Sequence, residues 1–416
     1  MSKITKYALS DLYDMSSGIS SKKEQAGHGA PFVSFGTVFN NYFLPEELPD
    51  LMDTNEKEQQ IYSIKTGDVL ITRTSETIDE LAMSCVAVKD YPKATYSGFT
   101  KRLRPKREGI AYPKYMAFYF RSALFRKAVT NNAFMTLRAS FNEDIFTFLD
   151  VYLPDYDEQV RIGDMLYNIE CKIQKNKEIN DYLEEMAKTI YDYWFVQFEF
   201  PDENGNPYKS TGGKMSRTKD FGLAPCGWKF GNLYDIAEFI NGLACQKYRP
   251  MEDEASLPVI KIKEMHDGIS SDTERVKATI PEKNIVNTGD ILFSWSASLE
   301  VQHWAGTTGG LNQHIFKVIP KKGYSSSYVY HQLQAYVIKF IQMADARKTT
   351  MGHITSDHLR QSIIVLPPEN IVRNFSQQVD DIHAEINHIN IENHRLSQLR
   401  DWLLPMLMNG QATIED

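Results

Sequence analysis

The chain repeats itself, and the repeat limits what it can fold into more than any other feature. "YSIKTGDVLITRTS" near residue 62 is echoed by "NIVNTGDILFSWSA" near residue 284, which sets Gly67 and Gly289 222 residues apart. "VYLPDYDEQ" from Val151 is echoed by "IVLPPENIV" from Ile364, which sets Leu153 and Leu366 213 residues apart. With 416 residues, two such copies imply two similar domains, each long enough for its own core. Each copy opens with short strand-and-turn segments, "PFVSFGTVF" and "LPVIKIKEM", behind glycine turns at Gly18 and Gly242. A shorter helical pattern follows, "YPKYMAFYFRSALFRKAV" or "SSYVYHQLQAYVIKFIQ", and each copy then ends in a long helix.

The long helices carry a heptad seam. In the first, Ile162, Leu166, Ile169, Ile173, Asn176, Asn180, Leu183, Ala187, Ile190 and Trp194 alternate by four and three. Shifted by 213, the same seam reads Phe375, Val379, Ile382, Ile386, Ile389, Asn393, Leu396, Arg400, Leu403 and Leu407. Asn180 and Asn393 are equivalent under the repeat. A buried amide is best satisfied by another polar group, so both are expected to fix register and partner at some cost in stability. Two such helices in one chain can pair antiparallel, with the mixed domains at opposite ends of a rod about 50 Å long at 1.5 Å per residue.

The expected fold class is therefore α+β: two mixed α/β domains separated by a pair of long antiparallel coiled-coil helices, in a pseudo-two-fold internal repeat. The boundaries read as a first domain at 1–152, a long helix at 153–200, a linker at 201–227, a second domain at 228–366, and a second long helix with the tail at 367–416. The linker, "PDENGNPYKSTGGKMSRTKDFGLAPCG", is dense in Gly, Pro, Ser and Asn.

A net charge of -8 argues against a polyanionic partner, but its distribution does not. From Lys93 to Asn142 eleven cations stand against one acid, a local +10; from Val301 to Ser356 six stand against one, a local +5. Interleaved with Tyr96, Phe99, Trp295, Trp304 and His314, they suit duplex DNA, with cations on phosphates and amides, hydroxyls and arginines on base edges. The candidate DNA-binding residues are Lys101, Arg102 and Arg104 together with five polar turns. These are "TRTSET" (Arg73, Thr74, Ser75), "TLRASFN" (Arg138, Ser140, Asn142), "SWSAS" (Ser294, Trp295, Ser296), "LNQHIF" (Asn312, Gln313, His314) and "RKTTMGHITS" (Arg347, Lys348, Thr349, His353, Thr355). Each turn taken singly is also an ordinary turn or helix cap.

Catalytic patterns are missing. The four cysteines form no CxxC pair, and the histidines show no metal-ligand spacing. Pro367-Pro368 follows Leu366 and precedes Glu369, which is no amino-methyltransferase loop. "STGGKM" has Tyr208 where a phosphate loop needs glycine and Met215 where it needs Ser or Thr. Asp202, Glu203 and Lys209 are ordered like a nuclease metal site but lie in the linker, without a strand to hold them. The reading is a binder without metal or cofactor of its own. No apolar run approaches the roughly 20 residues of a membrane span and the start has no signal-peptide form, so the cytoplasm is the default compartment.

Together the two-copy layout, "YDYWFVQFEFPDENGNPYKSTGGKM", "GDILFSWSASLEV" with "LNQHIFKV", "HITSDHLRQSIIVLPP" and "LRDWLLPMLMNGQ" resemble the specificity subunit of type I restriction-modification systems across essentially the whole chain. The resemblance implies two target-recognition domains, each reading one half of a bipartite DNA site across the major groove, with paired helices setting the gap. It implies as partners double-stranded DNA and two modification subunits that hold S-adenosylmethionine and methylate adenine, with two ATP- and Mg-dependent restriction subunits as an optional addition. It places the loops holding Arg138, Ser140, Asn312, His314, His353 and Thr355 toward DNA. "YSGFTKRLRPK" replaces "LNQHIFKVIPK" and "RASFN" replaces "GHITS" between the copies, which suggests an asymmetric target. The rival expectation is a coiled-coil interaction scaffold without specific DNA recognition.

Overall fold

The computed structural model describes residues 4–75, 81–132, 139–218, 222–270, 272–296, 298–346, 356–412 and 414. It divides into two compact units, Met1–Ile173 with Leu396–Asp416, and Gln174–Arg395. Both units are built on the same four-stranded sheet. In the first, Tyr13–Ser17, Thr100–Pro105, Val69–Thr72 and Ser84–Val86 lie side by side in that order, all antiparallel. In the second, Ala237–Asn241, Ile315–Pro320, Ile291–Ser294 and Glu300–His303 repeat the order and the directions. A smaller sheet accompanies each, holding one parallel pair: Ala26–Val33 with Thr95–Tyr96, and Ser256–Ile260 with Gly309–Leu311. The domain ends are closed alike, Thr5–Ala8 on Asp150–Leu153 and Lys229–Asn232 on Ile363–Leu366.

The shared "TGD" motif explains how each central strand is launched. Gly67 and Gly289 take φ of 86° and 90°, a region that glycine enters without a Cβ penalty. The following aspartate closes the turn: Asp68 Oδ2 accepts the Lys65 N–H at 2.8 Å, and Asp290 Oδ2 accepts the Asn287 N–H at 2.7 Å. The strands that leave these turns, "VLIT" and "ILFS", are buried at all four positions, as expected for a strand covered on both faces. Asp68 is fully buried, and such a carboxylate is tolerable only when paired. Arg104 meets it with two bonds, Nε at 2.8 Å and Nη2 at 2.6 Å; in the second copy Lys317 meets Asp290 at 2.8 Å.

The long helices run over Tyr156–Tyr191, followed by a π-helical turn Asp192–Val196, and over Glu369–Met408. They pair antiparallel. Within the second unit the Tyr191 ring lies 6.1 Å from that of Phe375, and the Asn180 amide donates to Asn390 Oδ1 at 2.7 Å. Asn176 donates to Asn393 Oδ1 at 2.9 Å and to Glu392 Oε2 at 2.6 Å. Both seam asparagines of the first helix therefore reach the second, Asn176 at the seam position Asn393 and Asn180 at Asn390, one residue outside the seam. The partner of Asn393 is Asn176, however, because the antiparallel register crosses the repeat equivalence that links Asn393 to Asn180. Arg400, the one basic interruption of the seam, lies in the first unit and bonds the buried Glu170 at 2.7 Å.

The segment read as a linker is largely folded. Met215–Thr218 pairs with Gly222–Pro225 in a hairpin, and Phe200, Tyr208 and Trp228 stack at 4.6 and 5.1 Å. Turn residues dominate its composition, but a few aromatic side chains and the buried Ala224 anchor it to the second unit's core. Among the described residues no helix is long and apolar enough to cross a membrane.

Candidate nucleic-acid interface

In the first unit, sequence-distant predicted turns converge on one edge. Thr74–Ser75 pairs with Ala139–Ser140, Thr74 opposite Ser140, so "TRTSET" and "TLRASFN" form one ribbon. The Phe141 N–H donates to Arg73 O at 2.7 Å, and the Arg73 N–H donates to Phe99 O at 2.8 Å, tying the ribbon to the turn Ser97 to Thr100. That turn is held from several sides. The Phe99 N–H donates to Ser97 Oγ at 3.2 Å, the Thr100 hydroxyl to Ser97 O at 2.7 Å and the Gly98 N–H to Ile19 O at 2.7 Å. Gly18 lies beneath it, where a Cβ would stand 2.1 Å from Ser97 O. Lys101 Nζ donates to Ser17 Oγ at 2.9 Å; partial burial and the neighbouring Arg73 cation hold its ammonium pKa below the usual value.

The second unit builds the same platform from different side chains. The Trp295 N–H donates to His314 O at 3.3 Å, the counterpart of the Arg73 to Phe99 bond. A Cβ on Gly242 would stand 2.0 Å from Asn312 O, the counterpart of Gly18. The Trp295 and His314 rings lie 5.7 Å apart, and Gln313 Nε2 lies 3.2 Å from His314 Nε2.

Several expected base or phosphate readers instead tie the scaffold together. Arg102 is 8% exposed and donates to Ser63 O, and Arg104 is committed to Asp68 and Ser63 O. Ser294 is fully buried, its hydroxyl donating to the carbonyls of Ser296 and Ser298. Asn312 is buried and accepts the His314 N–H at 3.3 Å, while Asn142 caps the helix Glu143–Phe148 by accepting the Ile145 N–H at 3.0 Å. Ser75 is also buried. The physical reason is common to all: strand ends and tight turns need polar side chains to satisfy their own backbone, the same residue types that read bases. Arg73, Thr74, Lys101, Ser140, Trp295, Ser296, Gln313 and His314 remain exposed or half-buried. Arg138, Arg347, Lys348, Thr349, His353 and Thr355 lie outside the described residues.

The local charge excess is likewise partly structural. Arg121 donates to the carbonyls of Ser84, Val38, Phe39 and Asn41, Arg126 donates to Leu81 O, and Lys114 pairs with Asp164 at 2.7 Å. The cations Arg73 and Lys101 at the converged edge carry more weight than the count.

One feature was named in the sequence reading without being singled out, and another escaped it. Phe99, counted only among the interleaved aromatics, is 66% exposed on the constrained turn, and the alignment of "YSGFTKRLRPK" with "LNQHIFKVIPK" makes it the counterpart of His314. On the first long helix and the π-helical turn that follows it, Ile179, Tyr182, Met186 and Tyr193 form an exposed stripe at helical spacing, led by Tyr182 at 72%. The heptad seam drew attention to the neighbouring face.

Comparison with known proteins gives a consistent result. The family model described as "Type I restriction modification DNA specificity domain" matches residues 1–185 and 225–400. The chain is 23% identical to the Type I restriction enzyme HindI specificity subunit of Haemophilus influenzae, over 99% of this chain and 100% of that one. It is 22% identical to the Type I restriction enzyme MjaIX specificity subunit of Methanocaldococcus jannaschii, over 95% of this chain and 89% of that one. Among solved structures, the type I restriction-modification system S subunit from M. genitalium shares the fold, with a TM-score of 0.56, 12% identity and coverage of 98% and 96%.

Proposed function

The chain belongs to the type I restriction-modification DNA specificity family, and from that premise we propose that each unit reads one half of a two-part duplex target while the paired helices set the gap. The observation that carries this reading is the duplicated platform. One backbone scaffold, closed by Gly18 or Gly242 and bridged from Arg73 to Phe99 or from Trp295 to His314, presents different side chains in each unit. Equal scaffolds with unequal tips suit two dissimilar half-sites.

The chain itself performs no catalysis in this reading. Two modification subunits supply S-adenosylmethionine and the methyl transfer, and two restriction subunits, where present, supply ATP- and Mg-dependent chemistry, all in the cytoplasm. The stripe Ile179, Tyr182, Met186 and Tyr193 supports protein docking on the first long helix, since an exposed aromatic flanked by aliphatics is the usual centre of an interface. Methylome sequencing of cells carrying the complex tests the reading: adenine methylation at a two-part motif with a fixed gap supports it, and methylation without such a motif contradicts it. The scaffold alternative requires that the complex show no salt-sensitive binding to duplex DNA.

The geometry also separates two neighbouring cations. Lys101→Ala is expected to weaken binding to all sequences alike and to reduce the slope of log affinity against log salt by about 0.9, one phosphate contact. Arg102→Ala is expected to lower thermal stability instead, because it strips a donor from Ser63 O. Filter binding across a salt series and a melting curve distinguish them.

A further inference from the structure

We propose that Phe99 is a specificity residue that reads the C5-methyl group of a thymine in the half-site of the first unit. The inference rests on the function proposed above and deepens it.

An isolated exposed apolar side chain is ordinary on protein surfaces and needs no explanation. Phe99 differs in three respects. Its backbone is fixed: the amide donates to Ser97 Oγ, the carbonyl accepts the Arg73 N–H, and both flanking residues are bonded to Ile19 or Ser97. The ring is therefore presented by a rigid turn, and its exposure of 66% shows that it contributes little to the core. Second, two cations are its neighbours along the chain and across the strand pair, Arg73 across the carbonyl bond and Lys101 two residues on, the latter bonded to Ser17. A large apolar surface beside two cations suits a partner that offers both anionic groups and an apolar one. Third, the same position in the second unit is His314, exposed on an equivalent turn and 3.2 Å from the Gln313 amide. There the tip is a hydrogen-bonding group.

Duplex DNA matches the first tip in one way. Among the groups that its major groove displays, the thymine methyl is the apolar one; the others are donors and acceptors. An aromatic ring cannot satisfy a donor or acceptor, so a phenyl tip excludes G·C readout at its position by leaving those groups desolvated and unpaired. His314 with Gln313 carries donor and acceptor atoms and suits a hydrogen-bonded base edge. The two halves of the target thus differ in chemistry at corresponding positions.

The test uses the reconstituted complex with its modification subunits and selection from a random duplex library. Wild type should select a two-part motif. With Phe99→Ala, a single T·A position in one half-site should lose roughly tenfold of its preference, while the other half-site keeps its own. Replacing that thymine by uracil, which removes only the methyl, should reproduce the loss in wild type and add nothing in the variant. Three results would overturn the proposal: unchanged or uniformly weakened binding by Phe99→Ala, relaxation at a position that is not thymine, or no effect of uracil. Reduced co-purification of the modification subunits by Phe99→Ala would also overturn it, by assigning the ring to a protein contact. If wild type selects no two-part motif, the function itself is wrong, a result distinct from failure of the Phe99 assignment.

Discussion

Gly242→Ala is expected to lower the melting temperature of the second unit by about 6–12 °C and to abolish discrimination at one half-site. The added Cβ would lie 2.0 Å from Asn312 O and 2.3 Å from its carbonyl carbon, both backbone atoms that cannot rotate away. Relief requires separating the bridge at Leu243 and Asn312, with the bonds from the Leu243 N–H to Leu311 O at 2.9 Å and from the Gly242 N–H to Ile315 O at 3.2 Å. Two hydrogen bonds and a displaced turn amount to about 3 kcal/mol or more, and a unit of this size loses about 2–4 °C for each kcal/mol. Gly36→Ala is the contrast, since the nearest atom to its Cβ is the flexible Ser34 Oγ at 3.8 Å and the site is helical; stability should hold or rise. Differential scanning calorimetry decides, and a Gly242→Ala melting curve superposed on wild type would show that the turn has no such constraint.

Acid should destabilise the second unit through three histidines. His331 Nε2 lies 3.0 Å from His383 Nε2, and the His303 ring lies 5.1 Å from that of His383 while stacking on Tyr330 at 4.4 Å. One Nε2 must donate and the other accept, so the two rings cannot both be protonated, and neither Nδ1 has a hydrogen-bond partner among the described residues. Burial, joined by repulsion from the His383 side, holds His303 and His331 at about 3, and burial alone holds His383 at about 4. Around them lie Glu184, which accepts from the Tyr330 hydroxyl at 3.0 Å and whose own pKa burial raises, and Asp380, which accepts from Ser327. Lys188 adds a further positive charge that disfavours protonating His331.

The unfolded rings titrate near 6.5 and the folded ones far lower. Stability is therefore complete above about pH 7 and falls as pH drops from 6.5 toward 4, where the unfolded state takes up protons that the folded state refuses. At pH 5 each ring accounts for about 2 kcal/mol and the three together for on the order of 5, or roughly 10–20 °C in melting temperature. Trp194, Trp228, Trp295 and Trp304 all belong to this unit, so tryptophan fluorescence follows its unfolding. The double substitution His331→Gln with His383→Leu should remove about two-thirds of the dependence between pH 5 and 7, leaving the share of His303. An equally steep loss in that variant would place the acid sensitivity elsewhere.

The fold was largely legible because two signals were redundant. A motif that appears twice, such as "TGD", reports a turn whose glycine φ and aspartate cap are needed twice, and a heptad sustained over ten seam positions leaves little choice but paired helices. The site was less legible. Polar residues that look identical in sequence separated into scaffold (Arg102, Ser294, Asn312) and surface (Arg73, Gln313, His314) only when their backbone partners were known. Likewise the crossing of Asn176 to Asn393 follows from helix register, which a repeat offset does not encode. The folded hairpin at Met215–Thr218 was hidden by a composition that describes its turns and not its aromatic anchors.

The most direct test of the ruler is one heptad inserted into each long helix beside the paired asparagines, which preserves the seam. Seven residues add about 10.5 Å, the length of roughly three base pairs. Methylome sequencing should then show both half-sites retained and the gap between them longer by about that amount. An unchanged gap, or altered half-sites, would contradict the claim that the helix pair fixes the distance between two independent readers.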